Sequence, residues 1–235
     1  MPAYSRLTVP ALATIALVAA ASMSMSLPGF GTPRAAVTTA PMPPEPAPAG
    51  VVASSDTAVF AGGCFWGVEA VFEHLAGVSS ATSGYAGGSA ASPTYEQVSS
   101  GATGHAEAVL VIYDPGRISY DQLLQIFFTV AHDPTQLNRQ GPDVGTQYRS
   151  AVFYRNQTQR AAAERYIAKV GEAKLYPGKV VTEVAPLGTF HQAEAYHQDY
   201  LVRHPTQPYI VINDAPKLEH LRREFPALYR KPGVS

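Results

Sequence analysis

Downstream of residue 55 the apolar positions change period several times, and each change marks an element. From Trp66 the residues Val68, Val71, Phe72 and Leu75 recur at helical spacing, with Glu69 and Glu73 off that face, which predicts a helix. Ala108 to Tyr113 is apolar at every position, as a central strand covered on both faces requires, and Asp114-Pro115-Gly116 closes it with turn residues. Shorter strands are predicted over Thr57 to Ala61 and Val180 to Ala185. Ser119 and Gln122 have capping-box spacing and open a helix buried through Leu123, Leu124, Phe127 and Ala131. Asn156 caps another, with Ala163, Ile167 and Val170 inward and Gly171 near its end. Asp214 and Pro216 introduce a last helix through Leu218, Leu221 and Phe225. Short strands interleaved with helices predict an α+β domain rather than a doubly wound sheet.

The pattern upstream is different. Residues 1–50 hold nine of the 20 prolines and three charged residues, Arg6, Arg34 and Glu45. Arg6, the mostly apolar run Leu7 to Ala21 and the small residues Ala19-Ala20-Ala21 follow the layout of a secretory signal. An uncleaved anchor or an organellar transit peptide is the alternative. A 15-residue helix spans only about 22 Å against a bilayer core of about 30 Å, and two arginines are few for a transit peptide. Pro41 to Pro48 reads as an extended spacer. The expected organisation is a leader over 1–26, a Pro-rich linker over 27–54 and one domain over 55–235, exported to a periplasm or cell envelope.

Composition then narrows the function. With 46% hydrophobic residues there is material for a core, and a net charge of −1 lacks the footprint of a nucleic-acid binder. One cysteine, Cys64, excludes an internal disulfide framework and a four-cysteine zinc site.

That cysteine lies in Gly62-Gly63-Cys64-Phe65-Trp66-Gly67, between the first strand and the first helix. A thiol at a helix N-terminus is expected to have a lowered pKa, because the dipole and unpaired amides favour the thiolate. The alternative is a buried, inert core cysteine. Glu107 stands one residue before the apolar strand in Gly104-His105-Ala106-Glu107. There it is either a solvated strand-end carboxylate or a desolvated, protonated general acid. Tyr95, after Ser92-Pro93-Thr94, and Tyr148, in Asp143-Val144-Gly145-Thr146-Gln147-Tyr148, follow turn residues. Their phenols either donate into a pocket or reach water, and Asp143 is equally a turn former. The two histidines of Phe190 to His197 do not have zinc-protease spacing.

Taken together these segments resemble the A-type peptide methionine sulfoxide reductases. The likeness rests on Gly63-Cys64-Phe65-Trp66-Gly67, Gly84-Tyr85-Ala86-Gly87-Gly88, Pro93-Thr94-Tyr95, Gly104-His105-Ala106-Glu107 and Asp143 through Ser150, in that order, and runs from about Thr57 to Arg230. It implies a ferredoxin-like α/β sandwich with additional coil. It also implies thiol-dependent reduction of methionine (S)-sulfoxide, in proteins or free, through a cysteine sulfenic acid. Cys64 is then the nucleophile and Glu107 the proton donor. Tyr95 and Tyr148 bind the sulfoxide oxygen with Asp143 in support, and Phe65 and Trp66 seat the methyl group.

No bound cofactor, metal or nucleic acid is implied, and the chain is expected to be a monomer. Many relatives carry further cysteines near the C-terminus. Gln207 to Asp214 has none, so an external thiol must regenerate the enzyme, whether thioredoxin-like, glutaredoxin with glutathione, or equivalent. Two rival readings are another cysteine-nucleophile enzyme and a methionine-sulfoxide binding module without catalysis.

Overall fold

In a computed structural model, residues 55–231 are described. The leader and linker expected over 1–54 lie outside them.

Among the described residues, eight strands and six α-helices follow in chain order: β1 (Asp56–Gly62), α1 (Phe65–Glu73), β2 (Val78–Ala86), α2 (Tyr95–Ser99), β3 (Ala106–Tyr113), α3 (Tyr120–Ile126), β4 (Arg139–Gln140), β5 (Asp143–Val144), β6 (Ser150–Tyr154), α4 (Gln157–Glu172), β7 (Glu183–Pro186), β8 (His191–Gln192), α5 (Tyr200–Arg203) and α6 (Ala215–Glu224). Six strands form one sheet in the order β7-β6-β1-β3-β2-β8, and β4 and β5 form a separate hairpin. Within the sheet, β1, β3, β2 and β6 pair antiparallel, with β3 inserted between β1 and β2. That arrangement is the split β-α-β of a ferredoxin-like sandwich, so the α+β expectation holds. The added edge strand β7 runs parallel to its neighbour, β6.

Alternation along the strands divides the core in two. Ala58 and Phe60 of β1 and Val109, Val111 and Tyr113 of β3 turn toward the helices, meeting Val68, Val71, Phe72 and Leu75 of α1 and Leu123, Leu124 and Phe127. The opposite face is built of smaller residues, Val59, Ala61, Ala86, Ala106, Ala108 and Ala151 with Phe153, closed by Leu187 and Phe190 from coil. Phe60 stacks on Phe72 and Phe127 at centroid distances of 5.1 and 4.9 Å. This places the anchor of β1 directly under α1.

Several helix ends form as the sequence predicts. The Ser119 hydroxyl accepts from the Gln122 amide at 3.2 Å while Gln122 Oε1 accepts from the Ser119 amide at 2.9 Å. Asn156 Oδ1 accepts from the Gln159 amide at 2.9 Å. Three expectations are corrected. The strand foreseen over Val180 to Ala185 is β7, Glu183–Pro186. Val181 instead donates its amide to Pro134 O, and Thr182 bonds the Ser150 hydroxyl. The helix opened by Ser119 is α only to Ile126 and continues as a π-helical turn over Phe127–Ala131. Glu69, expected on the polar face, is 1% exposed.

The reason for Glu69 is a strand that periodicity misses. β2 has the sequence Val-Ser-Ser-Ala-Thr-Ser-Gly-Tyr-Ala, without a hydrophobic alternation, yet it lies inside the sheet between β3 and β8. Glu69 on α1 accepts the amide of Ser83 in β2 at 3.1 Å with one oxygen and that of Asp199 at 3.1 Å with the other. Burial pushes its carboxyl up to about 8 against those two bonds. Glu69→Ala leaves the part-buried Asp199 amide without its partner. It is expected to lower the unfolding free energy by about 1–3 kcal/mol, read as a lower urea midpoint at unchanged slope.

Candidate active site

β1 delivers the chain to the N-terminus of α1, and the turn between them is sterically tight. Gly63 has φ +93°, and a Cβ there would lie 2.5 Å from the Gln140 side chain. Gln140 is itself fixed by a two-way bond to Asp133, its Oε1 accepting the Asp133 amide and its Nε2 donating to the Asp133 carbonyl, each at 3.1 Å. Cys64 follows as the residue preceding the first turn of α1 and is 9% exposed.

Glu107 is aimed at this point by register. Its side chain shares the helix-facing side of β3 with Val109 and Val111, opposite Tyr85 of β2. It is 2% exposed, and its Oε2 accepts the amide of Phe65 at 3.0 Å. Burial pushes the carboxyl up to about 8, the Phe65 amide opposing it and the charge of Asp143 adding to it. Of the two readings open for Glu107, the desolvated one is the one observed.

The expected effect of the helix end on the thiol is overturned. Burial pushes the Cys64 thiol well up, and the nearby carboxyls of Glu107 and Asp214 push in the same direction. The Trp66 amide and Lys217 act oppositely and are outweighed. The helix is only nine residues long, and its first free amide, that of Phe65, is taken by Glu107 rather than by sulfur. A thiolate and an ionised Glu107 disfavour each other, so at neutral pH the pair holds both protons.

Three phenols and a carboxylate surround this pair. Tyr95 opens α2, and its hydroxyl is pushed up to about 12 by burial and by the charges of Glu107 and Cys64. Tyr148 ends a 3-10 turn, Thr146–Tyr148, pinned by the bond from Gln147 Nε2 to Ser99 O at 2.9 Å. Its phenol is raised by burial and by Glu107 and Tyr95. Asp143 sits on β5 and accepts a hydrogen bond from the hydroxyl of Tyr209. Tyr209 is a residue that sequence reasoning misses. It follows Pro208 in a stretch without periodicity, and its phenol is raised by burial and by the charge of Cys64.

Asp214, expected only as the start of a helix, is 1% exposed, with Oδ1 paired to Lys217 Nζ at 3.0 Å and Oδ2 unpartnered. The pair packs on Gly67, where a Cβ would lie 2.1 Å from Asp214 Oδ1.

The aromatic wall has backing of its own. Phe65 is buried against Tyr85 and His197, with centroids 5.9 and 5.0 Å away. Trp66 is half-buried, stacks on Tyr200 at 3.7 Å, meets Tyr209 edge-on at 5.9 Å, and donates its indole N–H to His197 Nδ1 at 3.1 Å. Glu194 accepts the Tyr95 amide at 2.9 Å and the Tyr85 hydroxyl at 2.8 Å. One segment, Glu194 to Tyr200, thus positions Trp66, Phe65 and Tyr95 together. From sequence its histidines invite comparison only with metal ligands. Among the described residues no cluster of three or more His, Cys, Asp or Glu could hold a metal ion.

A ferredoxin-like sheet with a cysteine at its strand-to-helix junction, beside a buried neutral acid and phenols, defines a cysteine-dependent oxidoreductase. The model of the family described as peptide methionine sulfoxide reductase matches residues 56–228. The peptide methionine sulfoxide reductase MsrA 2 of Mesorhizobium japonicum is 56% identical over 180 residues, covering 77% of this chain and 92% of that protein. The corresponding MsrA of Thermus thermophilus is 50% identical over 175 residues, 74% of this chain and 98% of its own. Among solved structures, methionine sulfoxide reductase A of Corynebacterium diphtheriae aligns with TM-score 0.58 and 38% identity over 66% of this chain and 77% of that one. Reduced Mxr1 of Saccharomyces cerevisiae aligns with TM-score 0.61 and 33% identity over 66% of this chain and 88% of that one. The chain belongs to the peptide methionine sulfoxide reductase family.

Proposed function

We propose that this chain reduces methionine (S)-sulfoxide, free or in oxidised proteins, at Cys64, and so repairs oxidatively damaged protein. The observation that carries the reading is the neutral, buried Glu107 tied to the amide beside Cys64. A sulfoxide oxygen leaves sulfur only when protonated, and a carboxyl still protonated at neutral pH supplies that proton.

The proton balance closes on the same group. Glu107 protonates the sulfoxide oxygen as Cys64 sulfur attacks, and the resulting carboxylate takes the thiol proton. The sulfur–oxygen bond to substrate breaks, one forms to Cys64, and methionine departs from a sulfenic acid. The phenols of Tyr95 and Tyr148 donate to the oxygen as negative charge develops there. Asp143, held by Tyr209, orders that polar side. Phe65 and Trp66 offer the methyl group an apolar seat, so oxygen and methyl fit in one arrangement only.

With no second cysteine in the chain, the sulfenic acid is returned to thiol by an external donor, a redox protein or a small thiol. We place the enzyme outside the cytosol on the sequence of residues 1–26. N-terminal sequencing of the mature protein tests that.

Peptide substrates made as the separate S and R sulfoxides, incubated with the enzyme and dithiothreitol, test the activity. Consumption of the S epimer with release of the reduced peptide is expected. An unchanged S sulfoxide overturns the reading and leaves a hydrolase or a binding module.

The role of Tyr209 is tested separately. Tyr209→Phe removes the bond to Asp143, and a hydrogen bond to a charged group is worth about 1.5–3 kcal/mol, or about 10–100-fold in kcat/KM. The loss is expected in kcat/KM for peptide sulfoxide, with thermal stability close to that of the parent.

A further inference from the structure

Glu69 is a buried acid that no step of the reaction uses, and its bonds lead to the aromatic wall. It lies three residues beyond Trp66 and four beyond Phe65 on α1, so it shares their side of the helix one turn further on. One oxygen holds the amide of Ser83 in β2 and the other that of Asp199. Gln198 grips Ser83 as well. Its Oε1 accepts the Ser83 amide at 3.0 Å, and its Nε2 donates to the Ser83 carbonyl at 3.0 Å, which also accepts the Ala193 amide at 2.9 Å. The segment leaving β8 is thus tied to β2 as far as Gln198, and Glu69 takes the next residue.

At that residue the chain turns. Asp199 has φ +52° and ψ +29°, a left-handed conformation that a residue with a Cβ adopts only where its surroundings impose it. The turn lays Tyr200 on Trp66, with ring centroids 3.7 Å apart and planes 6° from parallel. On the near side of the turn, His197 Nδ1 accepts the indole N–H at 3.1 Å. Residues 197 and 200 therefore hold Trp66 between them, and the amide bound by Glu69 lies on the stretch that joins them.

Packing alone does not call for a carboxyl here. Burial and the charge of Asp199 work against an ionised Glu69. Glu73, one turn on, is itself pushed up to about 8 by burial and by Glu69. An apolar side chain of similar volume carries no such cost. What it lacks is a pair of oxygens placed to accept amides from two different segments.

We propose that Glu69 is a positioning residue for the substrate seat. Through the Asp199 amide it orders His197 and Tyr200, and through them the indole against which the sulfoxide methyl rests. The inference rests on the reductase reading and adds to it a determinant of substrate affinity one helical turn from the site. The methyl group keeps its bonds throughout the reaction, so a loosened indole weakens substrate and transition state alike.

Trp66 is the one tryptophan of the chain, so intrinsic fluorescence reads the seat directly. Glu69→Ala and Glu69→Leu both remove the acceptor and differ in the volume they return. Each is measured as the full chain for tryptophan emission, quenching by acrylamide, thermal unfolding and single turnover of a peptide (S)-sulfoxide. Both are expected to show red-shifted emission and stronger quenching. The half-saturating sulfoxide concentration should rise about tenfold, the low end of what one carbon in an apolar pocket is worth, while the limiting rate changes far less. Glu69→Gln keeps an oxygen for Asp199 while the Ser83 amide retains Gln198, and is expected to recover most of both losses. A lowered Tm with the parent's emission and half-saturation, in whichever of the alanine and leucine variants folds, overturns the proposal. So does a change in Glu69→Ala that Glu69→Leu reverses, since that is the filling of a cavity. The parent's own turnover separates the two failures: if it reduces no (S)-sulfoxide, the reductase reading falls and the proposal with it.

Discussion

Cys64→Ser is expected to abolish methionine sulfoxide reduction while leaving the domain folded. Serine is close to isosteric, and Cys64 is a small residue at the edge of the helix-side cluster, so a stability change of less than about 1 kcal/mol follows. A hydroxyl at this position has neither the nucleophilicity of sulfur nor a stable oxidised state to hold the transferred oxygen. The parent, given excess peptide sulfoxide without reductant, is expected to form one reduced peptide per chain and stop, because its single thiol has become a sulfenic acid. A sulfenic-acid-specific label should then appear on Cys64 in the parent and be absent from the variant. Turnover retained by the serine variant removes Cys64 from the nucleophile's role. A burst of two in the parent means that a second reducing group exists. The high thiol pKa makes a further demand: alkylation of Cys64 in the free enzyme should be slow at pH 7 and accelerate well above it.

Much of this is legible in the sequence, and the exceptions have physical causes. The helix-side core can be read because α1, α3 and β3 carry their apolar residues at the period of their own geometry. β2 cannot, because a central strand flanked on both sides needs only to be small and to satisfy its backbone, and Ser83, Gly84 and Ala86 do that without a hydrophobic signature. Glu69 is misassigned for the same reason, its partners being backbone amides of a strand and a turn that no side-chain pattern announces. Within the site, Cys64 is findable because the glycines of its turn are a local constraint. Glu107 is ambiguous until the register sets it on the helix-facing side. Tyr209, Glu194 and His197 act through contacts across 66, 99 and 131 residues of chain, which local spacing does not encode. The thiol pKa fails instructively: helix-end logic is sound for an exposed thiol, but here burial and two carboxyls outweigh one amide.

Glu107→Gln is expected to slow sulfenic acid formation by about 10²–10⁴ in single turnover, the usual contribution of a positioned general acid. The amide keeps the shape of the carboxyl and an oxygen for the Phe65 amide, so the site should keep its geometry, with substrate KM changed far less than kcat. The pH profile separates proton donation from a packing role. Glu107 is raised from its ordinary value to about 8, so the active, protonated form predominates below that pH and is lost as pH rises through it. The parent's single-turnover rate should therefore fall with rising pH through about 8, and this limb should be missing in the glutamine variant, which has no proton to lose. Glu107→Asp shortens the reach but keeps the acid, and is expected to recover part of the rate together with the descending limb. If the glutamine variant keeps the parent's rate, or shows the same fall through pH 8, the proton comes from another group. Tyr95, pushed up to about 12, holds its proton across this range and is the group to replace next.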